Sequence, residues 1–118
     1  MKKSDEEKKA KADYMDHVLL NFIYDVSRLC YLTEYLGFYE VTEDYRKMTE
    51  YKMLKERLER LFQACGTLSP SELEMLYLRY EKGLKYQTIG RKMFMSKVTA
   101  YDKMRRTLVK LYTALYEE

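Results

Sequence analysis

Between Lys82 and Lys110 the chain carries nine cations, Lys82, Lys85, Arg91, Lys92, Lys97, Lys103, Arg105, Arg106 and Lys110, against one anion, Asp102. This stretch alone holds a net +8, while all 118 residues sum to +3. A field of that sign attracts a phosphate backbone and releases its condensed counterions on binding. The competing account is the solvated face of an ordinary bundle helix. Catalytic chemistry finds less to work with. The one histidine, His17, stands beside Asp13 and Asp16 with no Ser or Cys nucleophile nearby. The pairs Asp13/Asp16 and Glu43/Asp44 fall where first helical turns are expected, and dipole complementarity explains them. Cys30 and Cys65 lack metal-ligand spacing and read as reduced, buried, small apolar residues. The eight methionines sit at apolar helical spacing and read as core. No nucleophile, base and orienting group come together, so no enzyme, metal site or cofactor is expected.

The elements that must position the cations are legible. Ser69 as N-cap, Pro70 at the first helical position and Glu72 three residues after the cap form a capping box. Leu73, Leu76, Tyr77 and Tyr80 then recur at helical spacing as one apolar face. Gly83 is placed to end this helix in the left-handed conformation. A short helix follows from about Tyr86 to Met93, with Tyr86, Ile89, Gly90 and Met93 inward. Phe94-Met95 makes a tight connection, and Ser96 caps a last helix running to near the C-terminus. A short helix, a tight turn and a capped helix rich in Lys and Arg describe a helix-turn-helix. Gly90, without a Cβ, suits the close approach of two crossing helices.

Upstream, a helix is expected from around Asp5 or Asp13 to Leu36, ended by Gly37. Its stripe is Tyr14, Val18, Leu19, Phe22, Ile23, Val26, Leu29, Cys30, Thr33 and Leu36. After a short connection Thr42 can cap the next helix, which Gly66 stops. Tyr45, Met48, Tyr51, Leu54, Leu58, Leu61, Phe62 and Cys65 carry its apolar side. The short connection makes the two helices an antiparallel hairpin. In the last helix Tyr101, Met104, Leu108, Leu111 and Leu115 form the stripe, and Tyr112 and Tyr116 extend past a minimal helix-turn-helix. These C-terminal turns pack either on the hairpin or on a second subunit.

The expectation is therefore an all-α fold of about five helices, with a hairpin over 1–66 and a helix-turn-helix DNA-binding domain over 67–118. The hairpin would serve oligomerisation or partner contact. The start of the chain is charged and has no apolar core of a signal peptide, and no apolar run reaches membrane-spanning length. A cytoplasmic protein is expected, with no membrane partner.

The capping box, the Leu76-Tyr-Leu-Arg-Tyr80 run, Gly83, Tyr86-x-x-Ile89-Gly90 and Ser96-x-x-Thr99-Ala100 resemble the fourth conserved region of bacterial sigma factors. That region is the helix-turn-helix that reads the promoter −35 element. A free-standing copy preceded by two or so helices is similar to the late-transcription regulators of phages infecting Gram-positive bacteria, of the ArpU, RinA and LtrC type. The resemblance covers roughly the last 45 residues of the sequence; the first 66 match in length and helical character only. It implies that Lys97, Val98, Tyr101 and Asp102 face base edges in the major groove, with Arg105 one turn further along. Lys97 would bond guanine, Asp102 would accept from cytosine, and Val98 would touch a thymine methyl. Tyr101 has a competing place at the start of the core stripe. Arg79, Lys85, Gln87, Arg91, Ser96 and Arg106 would hold phosphates.

Three departures narrow the reading. Residues 1–66 hold twelve Lys/Arg against thirteen Asp/Glu, unlike the basic, aromatic region with which a complete sigma factor reads the −10 element. Ala100 stands where a larger aliphatic is usual. Tyr101 and Asp102 replace basic and amide residues, so a −35 preference does not carry over. A sequence-specific regulator of transcription is expected, activating late phage genes with host RNA polymerase on promoter DNA, as a homodimer or with polymerase's help. The alternative is an interaction protein that binds polymerase or another regulator with little DNA affinity of its own.

Overall fold

The computed structural model describes residues 3–39 and 45–117, and among them every regular element is helical. Six helices follow in order: α1 Lys3–Leu20, α2 Phe22–Tyr39, α3 Tyr45–Cys65, α4 Pro70–Leu76, α5 Tyr86–Lys92 and α6 Lys97–Tyr116. A π-helical turn, Tyr77–Glu81, continues α4 directly.

The single long N-terminal helix expected from the periodicity is two helices, broken at Asn21. The side-chain amide of Asn21 donates to the carbonyl of His17 at 2.9 Å. That carbonyl is the one the Asn21 backbone would use in a continuous helix. The Asn21 N–H bonds Val18 O instead, at 3.2 Å. A short amide side chain that competes for its own helix's acceptors is a reason for such a break. Gly37 does not end α2, which runs on to Tyr39. The cap expected at Thr42, with Glu43 and Asp44, lies outside the described residues.

The break separates the duties of the two halves. α2 pairs with α3: Phe22 meets Phe62 edge-on at 6.0 Å, and Arg57 pairs with Asp25 at 3.3 Å. Arg28 holds Glu50 through two bonds of 2.7 and 2.9 Å. Partner numbers that rise on α3 as they fall on α2 make this the antiparallel hairpin. α1 instead lies along α6. Ala12, Met15 and Leu19 join Met75, Ile89, Ala100, Met104, Leu108 and Leu111 in one buried cluster, with Leu61 and Ala64 of α3 at its margin. The C-terminal turns of α6 thus pack on the chain's own first helix, where Tyr14 meets Tyr112 and Tyr116 edge-on at 5.9 and 5.7 Å.

Several apolar positions differ from the stripes read in the sequence. In α4 the buried residues are Met75 and Leu76, while Leu73 and Tyr77 are exposed. The helix is turned by the polar side it shows to α6: Lys103 reaches Ser71 at 2.7 Å, and Lys110 reaches Glu72 at 3.1 Å. Cys30 is exposed rather than buried, Ile23 and Phe62 are exposed too, and Cys65 is half-buried; both thiols are free. From Gly66 onward the punctuation stands where it was read. The capping box is complete, Gly83 takes φ +67°, α3 stops before Gly66, and Ser96 accepts from Thr99 N–H.

Candidate nucleic-acid interface

Capping builds the presenting end of α6. The Ser96 hydroxyl accepts the Thr99 N–H at 3.0 Å and donates to the Thr99 hydroxyl at 2.9 Å, which fixes the first turn. Ser96, assigned to phosphate, is thus committed to holding that turn. The turn folds tightly back on α5 because residue 90 is glycine. A Cβ there would lie 2.5 Å from the Met95 carbonyl oxygen and 3.1 Å from that of Ser96. The close approach is therefore to the turn's backbone, not to a crossing helix.

On this end Lys97, Val98 and Asp102 are exposed together, Val98 by 68%. Tyr101 is 45% exposed, with its ring edge-on to Tyr86 at 5.3 Å. It is exposed on one side and packs α5 against α6 on the other. Arg106 is exposed one turn on, and Lys85, Gln87, Arg91 and Lys92 are exposed along α5 and the residue before it. Lys85, Arg91, Lys92, Lys97 and Arg106 have no ion-pair partner among the described residues.

Other assigned residues are turned to internal work. Arg105, placed near the base-reading positions by the resemblance, is instead turned toward α1. Its guanidinium donates to the Asp13 carboxylate and to the Lys9 carbonyl, across the α1–α6 seam. Burial is the largest single influence and opposes its charge, but the hydrogen bond to Asp13 together with the charge interactions with Tyr101, Asp13 and Asp16 outweighs it and raises the pKa. The hydrogen bonds from Lys9 and Arg105 hold Asp13 below the usual carboxylate range. Arg79 donates to the Leu84 carbonyl at 2.9 Å and lies over the Tyr86 ring at 4.3 Å, which locks the connection between the π turn and α5. Of the nine cations in the basic stretch, Lys103, Arg105 and Lys110 serve packing.

The seam is deepened by Tyr80, whose hydroxyl donates to the Asp16 carboxylate from 64 residues away. Burial, and then this hydrogen bond, push the phenol well above its ordinary range. Glu72 is held low chiefly by the Ser69 N–H at 2.8 Å.

Away from the basic end, α1, α2, α3 and α6 enclose an open groove of about 1120 Å³. Val18, Phe22, Met53, Leu54, Leu61 and Leu115 are among its lining residues. Among the described residues no group of three His, Cys, Asp or Glu could hold a metal ion, and no helix is long and apolar enough to cross a membrane.

Phe94, read in the sequence only as part of a tight connection, has an unusual place in the structure. It is 97% exposed in the turn before α6, with φ +59°. The available signal was a helix-turn-helix connection without glycine, although such turns often contain one. Comparison with protein-family models, with curated proteins and with solved structures gives no match.

Proposed function

We propose that this chain is a sequence-specific DNA-binding regulator of transcription, a binding protein rather than an enzyme. The observation that carries the reading is the capped N-terminal end of α6, where Lys97, Val98 and Asp102 are exposed beside cations of α5 that have no ion-pair partner among the described residues. Side chains at the first turns of such a helix reach base edges when it enters the major groove, and flanking cations hold the phosphates. A single such helix covers a short half-site, so specific affinity calls for a second copy or for polymerase. The resemblance to phage late regulators supports a site upstream of a late promoter, in the cytoplasm of a bacterial host.

The experiment is selection of bound sequences from a random duplex pool by the purified chain at near-physiological salt. An enriched motif of a few base pairs supports the reading, and two copies at helical-turn spacing support a dimer. The affinity should fall linearly in log–log form with salt, by about 0.9 per phosphate neutralised. No enrichment by a folded chain would refute autonomous sequence reading.

The groove between α1, α2, α3 and α6 favours a second reading. Tyr24 and Met53 on its rim are 70% and 66% exposed, and such apolar surface suits a protein partner. On that reading the chain binds a polymerase subunit or another regulator tightly without DNA.

A further inference from the structure

Phe94 breaks two rules at once. A bulky side chain at φ +59° is an outlier in backbone geometry, and a phenyl ring 97% exposed gains nothing from burial. Glycine would satisfy this turn without strain, so the chain gives up folding stability to keep an aromatic ring here. Strain retained in this way is a pointer to function. The surroundings narrow the choice of ligand. Arg91 and Lys92 precede the ring and Lys97 follows it, all exposed. Val98, in the first turn of α6, adds a second exposed apolar group. An apolar spot set among cations fits a polyanion that offers apolar groups between its charges. Duplex DNA does so in the major groove, where the thymine C5-methyl is the apolar feature.

We infer that Phe94, together with Val98, forms an apolar reader of thymine methyl groups at the N-terminal end of α6. This inference rests on the DNA-binding reading and adds to it a base preference and the residue responsible.

The test uses the full chain, its Phe94→Gly and Phe94→Ala variants, and the duplex enriched in the selection. Phe94→Gly relieves the backbone and should raise the denaturation midpoint, while affinity for the enriched site falls roughly ten-fold or more, the equivalent of unburying a ring. Phe94→Ala should lose similar affinity without the gain in stability. The salt dependence should be unchanged, since no charge is removed. Replacing each thymine of the site by uracil deletes one methyl at a time. At the position read by Phe94 this should cost the wild-type chain about four-fold and both variants nothing, while a methyl read by Val98 should cost all three proteins alike. Wild-type affinity in both variants would overturn the inference, as would equal uracil penalties in all three proteins at every position. A loss confined to Phe94→Gly would assign the effect to turn flexibility and overturn it too. Failure of the underlying reading is distinguishable, because the wild-type chain then enriches no site.

Discussion

Lys97 and Arg105 carry the same charge on one helix yet have different work. Lys97 is exposed at the first position of α6, and its removal should relax base preference at one position of the enriched site. The expected cost there is roughly 1–3 kcal/mol of specific binding, with random DNA affected far less. An equal loss on both DNAs would make Lys97 a phosphate contact only. Arg105 spans to Asp13 and Lys9 on α1. Arg105→Ala should therefore lower the urea midpoint and leave the enriched motif unchanged. A shift of motif in that variant would return Arg105 to the reading surface. The resemblance put Arg105 one turn beyond the proposed base-reading positions because it treats the helix as isolated. The residue that claims it lies 92 positions earlier.

At the scale of the element, the helix-turn-helix depends on how closely its turn approaches α5. Gly90 meets the Met95 carbonyl oxygen, which is backbone and cannot swing aside as a side chain would. Gly90→Ala should destabilise by about 1–3 kcal/mol through overpacking, seen as a lower urea midpoint with unchanged helical signal at zero denaturant. A neutral result would show that the turn can relax. Local chemistry made these elements legible. Ser69-Pro70-x-Glu72 and Ser96 satisfy their own helix starts within three residues, and Gly83 supplies its own φ. The Asn21 break was harder to see, because apolar spacing continues through it on both sides and only the amide's hydrogen bond interrupts the helix.

Over the whole molecule, α1 is the brace of the basic end of α6. Met15 is fully buried in the cluster shared with Met104, Leu108 and Leu111. Met15→Ala should cost about 2–5 kcal/mol, measured by urea unfolding, and should destabilise the helix-turn-helix with it. An unchanged midpoint would mean that α1 is not docked. Acid should loosen the same assembly. Asp13 and Glu72 are both held below the ordinary carboxylate range. Each binds fewer protons folded than unfolded, so each contributes in full above the unfolded value, about 4. That contribution is lost as pH falls through about 4 and then through the lower folded values. The urea midpoint should therefore be flat near pH 6 and fall below about pH 4. In an Asp13→Asn, Glu72→Gln chain the fall should be shallower, and an identical profile would show that these carboxylates do not govern it.

Within the chain, local order settles the helical class, the capped starts at Ser69 and Ser96 and the stops at Gly66 and Gly83. These follow from hydrogen bonds and dihedral preferences that span a few residues, so the order of amino acids determines them. Which cations remain free for a ligand, which face of α4 turns inward, and where α1 docks depend on partners far away in the sequence. Lys103, Arg105 and Lys110 are taken up by Ser71, Asp13 and Glu72. Tyr80 is fixed by Asp16. Only packing brings such groups within bonding distance, because Coulomb and hydrogen-bond energies depend on separation in space and periodicity records separation along the chain alone.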